Sequence, residues 1–226
     1  MESVLFHGSS KIIERPVLSG GKVHNDFGQG FYCTPDIQLA REWACTKGQG
    51  SFVSHYSFIP HYSLKVCDLT GPGYNVLNWL AILMANRIFQ TENELPLAIK
   101  NYIIEEFLPD LSQFDVIRGY RADDSYFRIA EGFISGSISL ARLSEALRLG
   151  KLGEQVFLKS QKAFDALMFL SFEEVDRSIY GPRRRDRDTF ARDEFRKLSR
   201  MDSEKDAVLA IDIYRQRWRN DDVRLR

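Results

Sequence analysis

Four short stretches of this 226-residue chain carry residue types and spacings suited to chemistry. In "LFHGS", His7 is followed by Gly8 and Ser9 at the end of an apolar run. In "HNDFGQGFYCT", Gly28 and Gly30 bracket one residue and lead straight into Phe31 and Tyr32. Interior glycines weaken strands and mark a bulge or a close backbone approach, so the aromatics stand beside unusually accessible backbone. "DVIRGYRADD" ends in the paired carboxylates Asp123 and Asp124, which suit either a general base or an Asx turn. Asp26, ahead of Gly28, carries the same two readings. In "GEQVFLKS", Glu154 and Gln155 are strand neighbours, so their side chains take opposite faces and only one can serve a given site. His55, His61 and Cys67 belong to no motif, and no metal site is expected from them.

Taken in this order, the stretches resemble the ADP-ribosyltransferase superfamily, in particular its histidine–tyrosine–glutamate branch, which includes diphtheria toxin and the poly(ADP-ribose) polymerases. The likeness is closer still to an uncharacterised bacterial family of that superfamily, whose members read "YHGS", "DFGxGFYxT" and "DVxxGxxADD" before a Gln-led strand. It spans roughly residues 3 to 170. Each piece alone would be weak, but HGS and GFYxT together are fairly specific.

The resemblance implies NAD as co-substrate. His7 would bond the adenosine-side ribose, and the Gly8 backbone would hold the nicotinamide amide, with no Cβ to block the ligand. Ser9, Gly30 and Phe31 would complete the binding surface. Tyr32 would stack on nicotinamide, and Trp43 from the following helix would form a second aromatic wall. Gln155 would stand where relatives carry the catalytic glutamate, gripping the ribose without supplying charge, and Glu154 is the alternative if the strand register differs by one. The catalytic set is then Gln155, His7 and Tyr32. Asp123, Asp124 and Glu154 would be acceptor or loop contacts.

The implied activity is mono-ADP-ribosylation of a macromolecular acceptor, protein or nucleic acid. The implied setting is a bacterial toxin or defence effector restrained by an antitoxin protein. An NAD glycohydrolase and a non-catalytic NAD-sensing or nucleic-acid-binding module stay open as alternatives.

The elements that must position these residues can be read from pattern. "VLFHG" is a strand, and "DIQLAREWACTKG" is a helix with Asp36 at its start and Gly48 past its end. "SFVSHYSFI" and "SLKVCDL" look like a pair of strands either side of a Pro60–Tyr62 turn. "NVLNWLAILMANRIFQ" and "LPLAIKNYIIEEFLPD" have helical apolar spacing, with Pro96 in a first turn. "FDVIRGY" and "QVFLKS" read as strands, while "SLARLSEALRLG" (closed by Gly150) and "SQKAFDALMFLSFEEV" read as helices.

The composition is ordinary for a globular protein, 44% hydrophobic and 27% charged with no net charge, so no whole-molecule field selects nucleic acid. Three cysteines without CxxC spacing suggest neither a disulfide framework nor a zinc ribbon. "MESVLFHGSSK" does not read as a signal peptide, and "WLAILMA" is far short of a membrane span, so a cytoplasmic protein without membrane contact is expected. Past "YGPRRRDRD" the chain turns to Arg and Asp, and the knot Arg183–Arg185 is either a nucleic-acid contact or part of a solvated, ion-paired helix. The expected architecture is α+β: a split, mostly antiparallel core over residues 1–175 with a helical insertion near 75–110, then a charged helical extension over 176–226.

Overall fold

The computed structural model describes residues 2–46, 50–89, 93–122, 124–148, 153–201 and 207–225. The protein is α+β, with two small sheets and helices packed around them. Strands β1 (Ser3–Ser9), β3 (Phe52–Phe58) and β7 (Leu167–Glu174) form an antiparallel sheet in the order β1-β3-β7. Strands β2 (Phe31–Cys33), β6 (Glu154–Leu158), β5 (Val116–Tyr120) and β4 (Val66–Asp68) form the second, in the order β2-β6-β5-β4, antiparallel except for the parallel pair β4–β5. The sheets meet where β1 touches the end of β2: Phe6 and Thr34 exchange two backbone hydrogen bonds of 2.9 Å.

Helix α1 (Ile37–Ala44) begins where expected, because the Asp36 carboxylate accepts from the amides of Gln38 and Leu39 and satisfies donors a helix start leaves open. It lies across β1 with Ala40 and Ala44 fully buried. Helix α2 (Val76–Asn86) is apolar all round and buried from Leu77 to Met84, as that pattern requires. With α3 (Glu94–Phe107) and α4 (Asp124–Ile134) it covers one face of the β5–β6 sheet, where Phe157 and Ile117 project. Helix α5 (Leu140–Arg148) follows, then α6 (Gln161–Asp165), α7 (Arg177–Met201) and α8 (Ala210–Arg215). The chain beyond residue 207 returns to the main core: Ala210, Ile213 and Trp218 are buried there, and the Tyr102 hydroxyl donates to the Trp218 carbonyl.

Two expectations fail. The segments around β3 and β4 are not partners. β3 takes β1 and β7, whereas β4 crosses to the other sheet, where the Lys65 backbone N–H donates to the Asp115 carboxylate and Asp115 N–H returns to the Lys65 carbonyl. "ALMFLSFEEV" is not helical either. It carries apolar residues on both sides of the chain, so periodicity alone cannot tell strand from helix, and its ladder to β3 decides for strand β7. The α4 helix, which begins at the last residue of "ADD", is an element that the turn reading of that stretch lacks. Among the described residues no helix is long and apolar enough to cross a membrane.

Candidate functional site

A cleft of about 500 Å³ opens at the junction of the two sheets. His7 and Gly8 from β1, Gly30 just before β2, Phe31 and Tyr32 from β2, Trp43 from α1 and Gln155 from β6 all line it. Each position follows from local geometry. On β2, Phe31 and Cys33 enter one core while Tyr32, between them, faces the other side and pairs across the ladder with Phe157. On β6, Gln155 shares the Phe157 face, and Glu154 turns to the opposite one.

Tyr32 is held at both ends. Its ring packs against Phe157 at 4.7 Å between centroids, and its hydroxyl donates to the Gly28 carbonyl at 2.6 Å while accepting from Phe27 N–H. The "FGQG" turn is thus folded back onto the tyrosine that follows it. Gly28 adopts φ +89°, which only glycine takes without strain. Gly30 is required for a different reason: a Cβ there would run into the Phe157 ring. Burial pushes the Tyr32 phenol up, so it stays a donor.

His7 stacks on Phe31 with centroids 4.4 Å apart. Its Nδ1 lies 2.6 Å from the Tyr32 carbonyl oxygen, which can only accept, so Nδ1 carries the proton and Nε2 is the acceptor. Burial holds the imidazole below its usual pKa and keeps it neutral, against a smaller upward pull from that carbonyl.

Gly8 lines the cleft through its backbone, but its missing Cβ serves packing rather than ligand entry. A Cβ there would collide with the Ala40 carbonyl of α1. Ser9 does not reach the cleft. It is half-exposed, and its hydroxyl donates to the Lys11 carbonyl. Glu154 is likewise outside, paired with Arg118 at 2.5 Å. Asp123 lies outside the described residues, and Asp124 is described only as the first residue of α4. His55, His61 and Cys67 are not brought together: His55 meets Phe6 edge-on, His61 bonds Ser63, and Cys67 donates to the Tyr74 hydroxyl.

The floor of the cleft is an unexpected network. Gln155 is 2% exposed, and its Nε2 donates to Asp26 Oδ2 and to the Tyr120 carbonyl, both at 3.2 Å. Asp26, 8% exposed, also accepts from Ala122 N–H at 2.8 Å and from Arg87 at 3.2 Å. It is therefore no turn cap: its carboxylate points inward, away from its own loop. Burial pushes the Asp26 carboxyl above the usual aspartate range, while Ala122 N–H, Arg87 and Gln155 pull it back.

The mouth is basic, with Arg15, Arg121, Arg184 and Arg192 along it and Asp188 among them. The Arg121 guanidinium sits 5.0 Å from the centroid of the Trp43 ring, whose buried Nε1 has no hydrogen-bond partner among the described residues. Arg184 and Arg192 come from α7, which is anchored on α1 by a bidentate ion pair from Arg187 to Glu42 and by Arg184 donating to the Cys45 carbonyl. The Arg183–Arg185 knot does not form one patch. Successive helical residues are about 100° apart, so Arg183 turns to the Tyr180 ring while Arg184 turns to the cleft. Arg121 was visible inside "RGYRADD", but nothing in that string aims it at Trp43.

No curated protein and no solved structure matches the chain. A family model described as protein of unknown function (DUF3990) matches residues 3–169, which run from β1 into β7 and include the cleft residues of β1, β2, α1 and β6; the chain belongs to that family.

Proposed function

We propose that the cleft binds NAD and that the protein is an NAD-dependent mono-ADP-ribosyltransferase. One observation carries the reading: His7, Tyr32, Trp43 and Gln155, drawn from four separate elements, line a single cleft. That is the convergence the resemblance requires, on a two-sheet α+β frame in keeping with it. The volume lies within the roughly 300–1,000 Å³ range of small-molecule sites, and an arginine-lined mouth suits a diphosphate.

In this reading His7 Nε2 accepts from a ribose hydroxyl, and Tyr32 offers its ring to nicotinamide. Gln155 meets the ribose whose glycosidic bond breaks. The C1′–N bond cleaves with its electron pair leaving on neutral nicotinamide. A lone pair of the acceptor then bonds to C1′, and the acceptor's proton passes to water. The transition state carries oxocarbenium-like positive charge on the ribose. Arg184 and Arg192 lie on α7, beyond the residues that the family model matches.

The direct test is incubation with labelled NAD and a cell lysate, followed by nuclease or protease digestion. Label carried on a macromolecule supports transfer, and the digestion that releases it names the acceptor class. Nicotinamide release without labelled product would make the protein an NAD glycohydrolase, and binding without release would make it a sensing module.

The stacking role has its own check. Tyr32→Ala should weaken NAD binding by about 1 kcal/mol, roughly fivefold, through lost stacking. Tyr32→Phe keeps the ring but drops both hydroxyl bonds, and should hold NAD within about twofold. Calorimetric titration of both variants reads this, and a Tyr32→Phe as weak as Tyr32→Ala would assign the tyrosine to turn support alone.

His7 predicts a pH dependence. Its ordinary value is about 6.5 and burial lowers it, so Nε2 is free to accept throughout the range above that. NAD affinity should be flat above pH about 6.5 and fall only below it, as the imidazole protonates. The same sign applies to stability, which the neutral His7 supports above about 6.5 and which is lost as pH falls through the lowered folded value. An affinity that rises on acidification would exclude Nε2 as the ribose acceptor.

A further inference from the structure

The Gln155 side chain has a defined orientation. Its two amide neighbours, Asp26 Oδ2 and the Tyr120 carbonyl, are both acceptors, so the NH2 group must face them. Oε1 is thereby turned the other way. It has no hydrogen-bond partner among the described residues, on a side chain that lines the cleft. Behind the amide, Asp26 is fixed by a closed ring of contacts: Arg87 donates to its Oδ1 and also to the Ala122 carbonyl at 2.7 Å, and Ala122 N–H returns to Oδ2.

We propose that Asp26 and Gln155 work as one unit, Gln155 presenting the oxygen to the ribose and Asp26 supplying the negative charge behind it. The proposal rests on the NAD reading above. A single glutamate would supply both oxygen and charge. Here the two are divided between residues on different elements and joined through the amide. An amide that donates to a carboxylate is polarised toward its own carbonyl oxygen, so Oε1 carries more negative charge than an isolated glutamine would. That oxygen faces the atom where positive charge grows as nicotinamide leaves. Asp26 is then a positioning residue that acts through Gln155, and Gln155 is not a defective glutamate.

The consequence for Gln155→Glu is the reverse of simple restoration. The new carboxylate would face Asp26 Oδ2 and the Tyr120 carbonyl with no hydrogen to offer either. Two like charges at that separation drive one to take up a proton. The charge must move rather than double, and the double variant Asp26→Asn/Gln155→Glu does that: the asparagine NH2, placed where Oδ2 stood, donates to the new carboxylate and gives up the bond from Ala122 N–H.

The experiment measures nicotinamide release and NAD affinity for the wild type, Gln155→Glu, Asp26→Asn and the double variant, with a thermal melt of each. Each single change should lower kcat by about 10²-fold, the scale for losing one preorganised electrostatic contact. The double variant should recover at least tenfold over either, with NAD affinity within a few-fold of wild type throughout. A Gln155→Glu enzyme as fast as wild type, or a folded double variant no faster than the singles, overturns the pairing while leaving the NAD reading intact. A wild type that binds NAD without releasing nicotinamide overturns the transfer reading itself and the pairing with it.

If the variants do not fold, the wild-type pH profile at saturating NAD decides. The charged and titratable groups around Asp26 are Arg87, Arg121 and Tyr32, with His7 in the same cleft. The phenol keeps its proton below neutrality, and His7 titration is read in KM. The kcat should therefore fall as Asp26 protonates, at a pH above the ordinary aspartate value of about 3.9. A kcat that stays flat down to that pH overturns the role of Asp26.

Discussion

Gly8→Ala should lower the melting temperature by about 6–12 °C. A Cβ at that position would collide with the Ala40 carbonyl and lie 2.7 Å from the Ala44 amide nitrogen. Both are backbone atoms of α1, so no rotamer change relieves the clash, and the helix must lift from β1. Overpacking of this kind costs about 3 kcal/mol, and a domain of this size loses roughly 2–4 °C per kcal/mol. The damage extends to the cleft, because α1 carries Trp43. Ser9→Ala is the matched control, since Ser9 is half-exposed and bonds only its own loop, and it should stay within about 0.5 kcal/mol. Equal melting curves for Gly8→Ala and wild type would show that α1 is not seated on β1 as described.

Arg187→Ala should cost about 2–3 kcal/mol, or roughly 4–12 °C in the melting temperature. Glu42 is 6% exposed, and both its oxygens are taken by Arg187, at 2.6 and 2.9 Å. Removing the guanidinium leaves a buried carboxylate without that partner. The cost is set below that of a fully buried pair because the Arg187 side chain retains 23% exposure. Glu42→Gln in the same molecule should recover much of the loss, since no charge is then stranded. This pair also clamps α7 over the cleft, so on the proposed reading Arg187→Ala should weaken NAD binding by freeing Arg184 and Arg192. Calorimetry of the single and double variants reads both effects, and an unchanged melting temperature for Arg187→Ala would show that α7 is not clamped through Glu42.

Local signals carried much of the fold. The Asp36 cap, the helical apolar spacing of α2 and α3, and the Val- and Phe-rich runs of β1, β3, β5 and β6 all act within a few residues. They resolve without knowledge of the rest of the chain. The alternation that separates Glu154 from Gln155 is of the same kind, because strand period is a property of one segment. His7, Tyr32, Trp43 and Gln155 were named through the resemblance, and only the way each stands on its own strand or helix follows from short-range period.

Other features were decided by partners far away in the chain. "MFLSFEEV" became a strand because β3 had an open edge, and β4 joined β5 because the Asp115 region supplied its hydrogen bonds. Gly8 is explained by Ala40, and Gly30 by Phe157. Asp26 looked like a turn residue because its neighbours are turn formers. Its carboxylate is instead claimed by Ala122, Arg87 and Gln155, between 61 and 129 residues on. The sequence by itself determined which side chains stand ready on their own elements, since period and capping are short-range. Only the tertiary structure decided which charge stands behind Gln155 and which arginines guard the mouth, because a buried carboxylate or guanidinium goes wherever the folded chain offers it hydrogen bonds.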